Sequence, residues 1–367
     1  MKIAVIKLGA RLVFGDKVGS SGGSGEAQSL VNMLSEAGAE VHCFTKILKD
    51  DYIPNDINIH QIEEEYSTVN TYDILIVING TVNFFGGVAD NSQILNYHMI
   101  NNFSKKVIYI HCDPNLPLKQ LWPSIKNRTW ASDWKESDIV IVKKIDVVTQ
   151  STNITKVLTA FKDIHIDKIF QYDFQKFPMM FVKPQISEER IYTSDLSYGG
   201  TFRAGRREKK LIEFYFGYPE DLKVELFGKI KEEKFNPQKV GTLRSPNFSG
   251  PVDYNKMLHK MSESKAHVAI GDGHYPEFGM ISQRVYESIM SDCVTFIDID
   301  FDRNKRVFGD TELGKFLYVT NRDQVYKRLK MLTNSELNTI IKLQHKIVDF
   351  NRDTYCSDFY KLIQNLA

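Results

Sequence analysis

Short runs of β-branched and other apolar residues alternate along the chain with longer amphipathic segments. This alternation is typical of parallel sheets whose strands are joined by crossover helices. A glycine-rich segment, Gly19–Gly25, precedes the first helix, which is predicted over 26–36. In the first half of the chain, the predicted strands are Lys2–Leu8, Glu40–Phe44, Asp73–Ile78, Lys106–His111 and Asp138–Val142.

The pattern weakens at Phe170–Glu189, which contains two prolines and is predicted to be an interdomain linker. A second series of strands follows, predicted at Asp195–Tyr198, Lys223–Phe227, His267–Ile270 and Val294–Ile297. Its helices are predicted at about 205–215, 283–290, 323–330, 335–348 and 357–366. The pattern therefore predicts an α/β protein of two Rossmann-like domains that face a central cleft and bind ligands at the carboxyl ends of their sheets.

Length and composition narrow the class of protein. The chain has 367 residues, more than one hydrophobic core usually supports. No apolar run reaches the roughly 20 residues that a membrane-spanning helix needs, so no membrane partner is expected. The first six residues have the pattern of a strand rather than of a signal peptide, and four cysteines without CxxC spacing indicate a reduced, cytoplasmic setting. Because the net charge is only +1, any nucleic-acid surface must be a local patch.

The strongest candidate for a binding site is Tyr198–Arg207, where a strand ends, two glycines allow a tight turn and a helix begins. Free backbone N–H groups at the start of a helix attract anions. Arg203 and Arg207 are four residues apart, so they share one helical face and could each bind the oxygens of a diphosphate. The same residues would also suit a solvated basic helix, because lysines follow at 209 and 210.

A second candidate is the pair Arg284 and Glu287 on the helix predicted before the strand at Val294. Three residues apart, the two side chains share a face of the helix. The arginine could bind a phosphate while the carboxylate accepts both hydroxyls of a ribose. The alternative is an ion pair within the helix.

Acidic and aromatic residues follow two of the predicted strands at their carboxyl ends. Asp113 comes just after the strand at Lys106–His111, where a carboxylate could act as a general base or simply cap the next turn. Asp272 and Tyr275 follow the strand at His267–Ile270 and could bind sugar hydroxyls or belong to a turn. Both positions lie where open α/β sheets bind ligands.

The segment Asn83-Phe84-Phe85-Gly86-Gly87 places two aromatic residues beside two glycines. Such a loop could be an exposed wedge of the kind that separates stacked bases, or its phenylalanines could fold back into the core. Lys119, Lys126 and Arg128 could contact phosphates of a nucleic acid.

Two short motifs do not carry a function here. Gly19–Gly23 matches GxSxG, but no Asp and His follow in the order that a hydrolase needs. Asp298-Ile299-Asp300 has the form of a metal-binding DxD, but its late place in a Rossmann-like series favours an acidic strand exit. Histidines and cysteines show no metal-ligand spacing.

Taken together, these segments resemble the DNA β-glucosyltransferases of T-even bacteriophages. The resemblance runs nearly the whole length of the chain in the same order. It rests on Met1–Ile6, Asn83–Gly87, Trp122-Pro123, Lys126–Arg128, Trp130-Ala131, Tyr198–Arg203, Gly271-Asp272, Tyr275, Arg284-Val285, Glu287 and Ser291-Asp292.

The resemblance implies a GT-B glycosyltransferase fold. Residues 1–185 would form an acceptor-binding domain on which a C-terminal helix at about 351–367 packs, and residues 190–350 a UDP-sugar-binding domain. The expected reaction transfers a sugar from a UDP-sugar to the hydroxymethyl group of 5-hydroxymethylcytosine in double-stranded phage DNA, with inversion and base flipping. The enzyme is expected to act as a monomer in the host cytoplasm and to protect phage DNA from host nucleases.

The resemblance also implies roles for individual residues. Asp113 would be the catalytic base. The backbones of Gly200 and Val252 would contact the diphosphate and the uracil, and Glu287 the ribose. Arginines would bind the diphosphate, and further side chains the donor sugar and the DNA. The arginines are Arg203, Arg207 and Arg284; the sugar ligands are Asp272, Tyr275 and Glu26; the DNA ligands are Asn83, Phe85, Lys119, Lys126 and Arg128.

One departure from the family concerns the donor. The loop before Glu26 carries extra glycine and serine residues, so UDP-arabinose or another pentose donor competes with UDP-glucose. Mg²⁺ could neutralise the released UDP, although the sequence contains no legible ligand set. The alternatives are a GT-B enzyme with a non-DNA acceptor and a non-catalytic protein that binds nucleotide or DNA.

Overall fold

The computed structural model describes residues 1–8, 11, 12, 14, 22–49, 51–79, 91–112, 126, 132–173, 176, 190–200, 202, 206–228, 243–252, 254–271 and 274–367. Of residues 22–26, 79, 91, 206, 254 and 255 it describes the backbone alone. The chain divides into two compact units, one of Met1–Pro178 with Asn351–Ala367 and one of Met179–Phe350. Across the described ranges, no helix is long and apolar enough to cross a membrane.

The first unit is built on a seven-stranded sheet whose strands all pair in parallel, in the order β3-β2-β1-β4-β5-β6-β7. The strands are β1 (Lys2–Leu8), β2 (Glu40–Thr45), β3 (Asn58–Gln61), β4 (Ile74–Asn79), β5 (Lys106–His111), β6 (Ile145–Thr149) and β7 (Ile166–Gln171). The described helices between them are α1 (Gly22–Glu36), α2 (Ile62–Glu65), α3 (Asn91–Asn102) and α4 (Ile154–Ala160), with 3₁₀ turns at Tyr66–Thr71 and Glu136–Ile139.

The second unit has a six-stranded parallel sheet in the order β10-β9-β8-β11-β12-β13. Its strands are β8 (Ser194–Gly199), β9 (Val224–Phe227), β10 (Asn247–Phe248), β11 (Ser264–Ala269), β12 (Val294–Asp298) and β13 (Tyr318–Val319). Its described helices are α5 (Arg206–Tyr215), α6 (Tyr254–Ser262), α7 (His274–Phe278), α8 (Gln283–Met290), α9 (Glu312–Leu317), α10 (Arg322–Met331) and α11 (Asn334–Val348). Strand order reverses between β8 and β11, which is where such sheets bind ligands.

The central strands of the first sheet are mainly apolar because helices cover both faces of a parallel sheet. Residues Ile3–Ile6 of β1 and Ile74–Val77 of β4 are fully buried. In the second unit, one large core joins the sheet to α5, α8 and α11, with Phe214, Val285 and Ile341 among its buried members.

A last helix, α12 (Arg352–Leu366), belongs to the first unit although it follows the second in the chain. Asn351 caps it by accepting from the amide of Thr354 at 3.1 Å. Arg352 forms a two-pronged ion pair with Glu36 of α1, and Phe359 is fully buried.

The strands predicted from the pattern are confirmed with small shifts at their ends, except Asp138–Val142, which is wrong. In that segment the carbonyl of Val140 accepts from the Asn101 side chain, and the amide of Val142 donates to it. Because Asn101 occupies these backbone groups, the strand forms later, as β6. The pattern also missed the short edge strands β3, β10 and β13, and β7, which overlaps the predicted linker.

Each sheet buries one histidine completely, His111 in the first and His267 in the second. The Nδ1 of His111 lies 3.0 Å from Thr149 Oγ1, and the Nδ1 of His267 lies 2.9 Å from the carbonyl of Ser197. Burial lowers the pKa of each imidazole from 6.5 to about 3, and for His267 the charge of Arg284 acts in the same direction. Both rings are therefore neutral at physiological pH.

This neutrality predicts a pH dependence of stability. A lowered folded-state pKa means that the unfolded chain takes up protons first, so this stability is complete above pH 6.5 and declines toward pH 3. At pH 5 we expect each histidine to reduce the free energy of unfolding by about 2 kcal/mol relative to neutral pH. Urea unfolding at both pH values should show that His267→Gln flattens the dependence by about this amount. The exposed control His165→Gln should leave it unchanged; equal pH dependence in wild type and His267→Gln would contradict the assignment.

Candidate functional site

The carboxyl edge of the second sheet brings together most of the predicted donor-binding residues that the structure describes. Gly200 follows β8, and Gly271 follows β11, on the two sides of the point where strand order reverses. The helices α5 and α8 follow β8 and β11 in the chain, so in parallel α/β units they begin near this same edge. Arg207 lies in the first turn of α5, and Arg284 in the first turn of α8.

Two glycines make the turn after β8 possible. The amide of Gly200 donates to the carbonyl of Phe227 at 3.0 Å, and the amide of Gly228 donates to the carbonyl of Gly250 at 2.7 Å. Gly228 has φ 139°, and a Cβ built on it would lie 1.8 Å from the carbonyl oxygen of Gly200. The amide of Gly200 already donates to the Phe227 carbonyl, so a diphosphate oxygen would have to compete with that carbonyl for the same N–H.

The helix α5 is less solvated than its lysines suggest. The Nζ of Lys210 lies 3.0 Å from carboxylate oxygens of both Asp298 and Asp300, and its side chain is 14% exposed. Asp298 is buried at the end of β12, where desolvation raises the pKa of its carboxyl and the neighbouring Lys210 opposes that rise. The alternative of a solvated basic helix therefore does not hold at Lys210.

These contacts also settle the nature of the DxD-like motif. Both of its carboxylates contact Lys210, so it is an acidic strand exit whose two carboxylates share one cation. Within the described ranges, no group of three or more His, Cys, Asp or Glu residues is arranged to hold a metal ion.

Arg284 and Glu287 form the ion pair that the sequence left open, with Nη1 2.6 Å from Oε2. Glu287 is almost fully buried at 2% exposed, whereas Arg284 is 25% exposed. A guanidinium has five N–H donors and a carboxylate has about four acceptor positions. A single ion pair uses only part of the hydrogen-bonding capacity of the two groups, so it does not exclude the interpretation as a ligand site.

Val252 and Tyr275 flank this edge. Val252 packs against a small apolar cluster that includes Phe227 and Met257, next to the end of β9. Tyr275 is half-buried in α7 and meets the ring of Phe301 edge to face at a centroid distance of 6.2 Å. Both positions are compatible with contacts to a ligand at the carboxyl edge.

Asp292, which with Ser291 is one of the segments of the family resemblance, follows the end of α8 instead of lining this edge. It has φ 56°, a left-handed conformation that is uncommon outside glycine. Arg190 pairs with its carboxylate, and His345 Nε2 lies 2.7 Å from it. These two contacts hold the strained residue, so its role here is structural.

In the first unit, the exit of β5 is described as far as Cys112, one residue before Asp113. Lys126 is described and exposed, and Glu26 is described only as a backbone position in α1. The remaining predicted residues lie outside the described residues: Asn83, Phe85, Asp113, Lys119, Arg128, Arg203 and Asp272.

Sequence reasoning missed Gly228 and the role of Lys210. A signal for the first was available, because Gly228 directly follows a predicted strand, as Gly199 does. Nothing local indicated the second, since Lys210 and Asp298 are 88 residues apart.

Two parallel α/β units, the second with a glycine turn and arginine-bearing helices at its carboxyl edge, define a glycosyltransferase of the GT-B fold. Residues 1–183 match the family model described as bacteriophage T4 beta-glucosyltransferase. The DNA beta-glucosyltransferase of Enterobacteria phage T4 is 31% identical over 357 residues, which are 96% of this chain and 95% of that protein. The chain belongs to the bacteriophage T4 β-glucosyltransferase family.

Solved structures agree with this assignment. The structure of T4 phage β-glucosyltransferase (BGT) in complex with UDP and Mn²⁺ is similar with a TM-score of 0.80 and 29% identity. That of T4 phage BGT in complex with its UDP-glucose substrate is similar with a TM-score of 0.79 and 28% identity. Each match covers 100% of this chain and 99% of the solved one. The two-domain α/β fold predicted from the sequence is confirmed.

The contact between Gly228 and Gly200 yields a prediction. A methyl group at position 228 would displace the Gly200 carbonyl, so Gly228→Ala should weaken binding of UDP by about tenfold or more, a loss of about 1.4 kcal/mol. Isothermal titration calorimetry would measure this. The control Gly38→Ala also adds a methyl at positive φ (91°), but nothing lies within 4 Å of it. Equal UDP affinity in Gly228→Ala and wild type would show that the turn does not support nucleotide binding.

Proposed function

We propose that the chain transfers glucose from UDP-glucose to the hydroxymethyl group of 5-hydroxymethylcytosine in double-stranded phage DNA, with inversion at the anomeric carbon. The observation that carries this proposal is 31% identity over 96% of the chain to the DNA beta-glucosyltransferase of phage T4. The T4 phage BGT structure with its UDP-glucose substrate supports the choice of donor.

The second unit is the proposed donor domain, at 190–350, and the first is the proposed acceptor domain, at 1–185. The support is the glycine turn of the second sheet with Arg207 and Arg284 at the starts of two helices, where anions are favoured. There Arg203, Arg207 and Arg284 bind the diphosphate, and Glu287 binds the ribose while keeping its ion pair with Arg284. The uracil contacts the backbone of Val252.

The proposed chemistry is a single displacement. A primary alcohol is a weak nucleophile, so Asp113 removes its proton as the new bond to the anomeric carbon forms. The bond from that carbon to the β-phosphate oxygen breaks, and UDP departs with the electron pair. The arginines stabilise the negative charge that develops on UDP. Attack from the face opposite the leaving group gives inversion.

The acceptor reaches Asp113 only after the target base leaves the stack, at a cost of a few kcal/mol. Asn83 and Phe85 enter the space that the base vacates, and Lys119, Lys126 and Arg128 contact phosphates. Exposure of Lys126 is compatible with such a contact. The protein would act as a monomer in the host cytoplasm, where the phage DNA is.

Glu26, Asp272 and Tyr275 are the proposed ligands of the donor sugar. The glycine and serine residues before Glu26 are the reason to test a pentose beside glucose. A T4 phage BGT structure contains Mn²⁺ with UDP. The described residues of this chain offer no donor set for such an ion, and Asp298 and Asp300 are paired with Lys210.

The role of Asp113 predicts the effect of Asp113→Asn. Loss of the base should lower kcat by about 10²- to 10⁴-fold and leave the affinity for UDP-glucose unchanged, because the donor contacts lie elsewhere. Transfer of radiolabelled glucose and donor titration would measure the two quantities. The exposed Asp163→Asn serves as a matched control in the same unit. Turnover within twofold of wild type in Asp113→Asn would refute the assignment.

The substrate itself is tested with duplex DNA containing 5-hydroxymethylcytosine or cytosine, each offered with UDP-glucose and UDP-arabinose. We expect a hexose-sized mass gain only on 5-hydroxymethyl-2′-deoxycytidine after digestion. A pentose-sized gain would overturn the donor, and gain on unmodified cytosine would overturn the acceptor. Binding of UDP without gain from any donor would favour a non-DNA acceptor or a non-catalytic protein.

A further inference from the structure

A buried glutamine holds the backbone at the exit of β5. The Nε2 of Gln150 donates to the carbonyl oxygen of Cys112 at 3.2 Å. Gln150 is 1% exposed and Cys112 is 2% exposed, so water does not compete for this bond. The last ladder pair of β5 and β6 is His111 with Thr149, which places the Gln150 bond just beyond the end of the sheet.

The residues on both sides of Gln150 are themselves hydrogen-bonded. The amide of Tyr172 donates to the Thr149 carbonyl at 2.9 Å, and the amide of Ser151 donates to Thr149 Oγ1 at 3.0 Å. The Nε2 of Gln171 donates to the carbonyl of Ser151 at 2.9 Å. The backbone on both sides of Gln150 is thus tied to β7.

A second contact holds the other side of the same exit. Nδ1 of His111 lies 3.0 Å from Thr149 Oγ1, and the His111 ring meets the ring of Phe161 edge to face at 5.1 Å. Because Thr149 Oγ1 also accepts from Ser151, the hydroxyl proton of Thr149 is free to point to the imidazole. Thr149 at the end of β6 and Gln150 directly after it therefore hold the two residues that precede Asp113.

Fixing the Cys112 carbonyl restrains Asp113 through covalent geometry. The peptide group is planar, and the plane that contains the Cys112 carbonyl also contains the amide nitrogen and Cα of Asp113. One hydrogen bond to that carbonyl therefore limits rotation of the plane and movement of the Asp113 Cα. A general base must lie within hydrogen-bond distance of the proton it removes, so small displacements of this Cα matter.

We infer that Gln150 is a positioning residue for Asp113: its buried amide holds the Cys112–Asp113 peptide so that the carboxylate meets the acceptor hydroxyl. The inference rests on the proposed role of Asp113 as base. It assigns to Gln150 an effect on the chemical step rather than on binding of either substrate.

The test compares Gln150→Met, which keeps the length of the side chain but cannot donate, with wild type. The matched control is Gln344→Met in the second unit, where an equally buried Nε2 donates to the carbonyl of Cys293 at 2.9 Å. A second variant, Gln150→Asn, keeps the amide but is one methylene too short. Kinetics are measured well below each variant's Tm.

We expect both Gln150 variants to lower kcat about 10- to 100-fold, with KM for UDP-glucose and for DNA within twofold of wild type. Gln344→Met should lower Tm at least as much and keep kcat within twofold. Unchanged kcat in the Gln150 variants, or an equal loss in Gln344→Met, would overturn the inference.

A measurement without substrate separates this inference from the proposed function. Hydrogen exchange of the peptic fragment spanning 107–116, followed by mass spectrometry, should be faster in Gln150→Met than in wild type and unchanged in Gln344→Met. Faster exchange with no glucose transfer by the wild type would retain the restraint and overturn the proposed function. Unchanged exchange would overturn the restraint even where wild-type transfer is confirmed.

Discussion

The parallel pairing of all described strands determines where functional side chains can lie in this protein. Successive parallel strands need crossover helices, and these cover both faces of each sheet and bury residues such as Ile3–Ile6 completely. The central strands are therefore closed to a ligand on both faces. The chain leaves all strands of a sheet at one edge, so turns that leave the second sheet there, such as those at Gly200 and Gly228, become neighbours. Polar side chains placed after strands converge for this reason alone.

Two of the carboxylates buried in the second unit are held by ion pairs. The carboxylate of Asp298 is buried at the end of β12 and is held by Lys210, and that of Glu287 is held by Arg284. Removing one partner of a buried pair would leave an isolated charge, at a cost of several kcal/mol. The two pairs differ in how many hydrogen-bond donors the cation retains. Lys210 is shared between two aspartates, whereas the guanidinium of Arg284 has five N–H donors and retains some of them. The donors that Arg284 retains are what the proposed contact with a diphosphate requires.

Much of this arrangement could be predicted from the sequence because it follows from local rules. Apolar runs located most strands, and the two glycines before Arg203 and Arg207 located the turn after β8. What failed depends on residues distant in the chain. The run at Asp138–Val142 has the composition of a strand, but Asn101 satisfies its backbone instead. The close approach of Gly228 to Gly200 arises only when β8 and β9 lie side by side, and Lys210 finds its partner Asp298 88 residues later in the chain. The positions of Asp113 and the DNA-binding residues remain predictions.

The helix α12 gives the chain an order of assembly. Because this helix completes the first unit but follows the second in sequence, the second unit is an insertion within the first. On the ribosome, residues 179–350 emerge before residues 352–366, so the second unit can close its core while the first still exposes the surface of α1 that α12 covers. The ion pair of Arg352 with Glu36 then joins a segment synthesised early to one synthesised late. The first unit can therefore complete its fold only after nearly the whole chain has been synthesised. A chain that stops before residue 352 would lack α12.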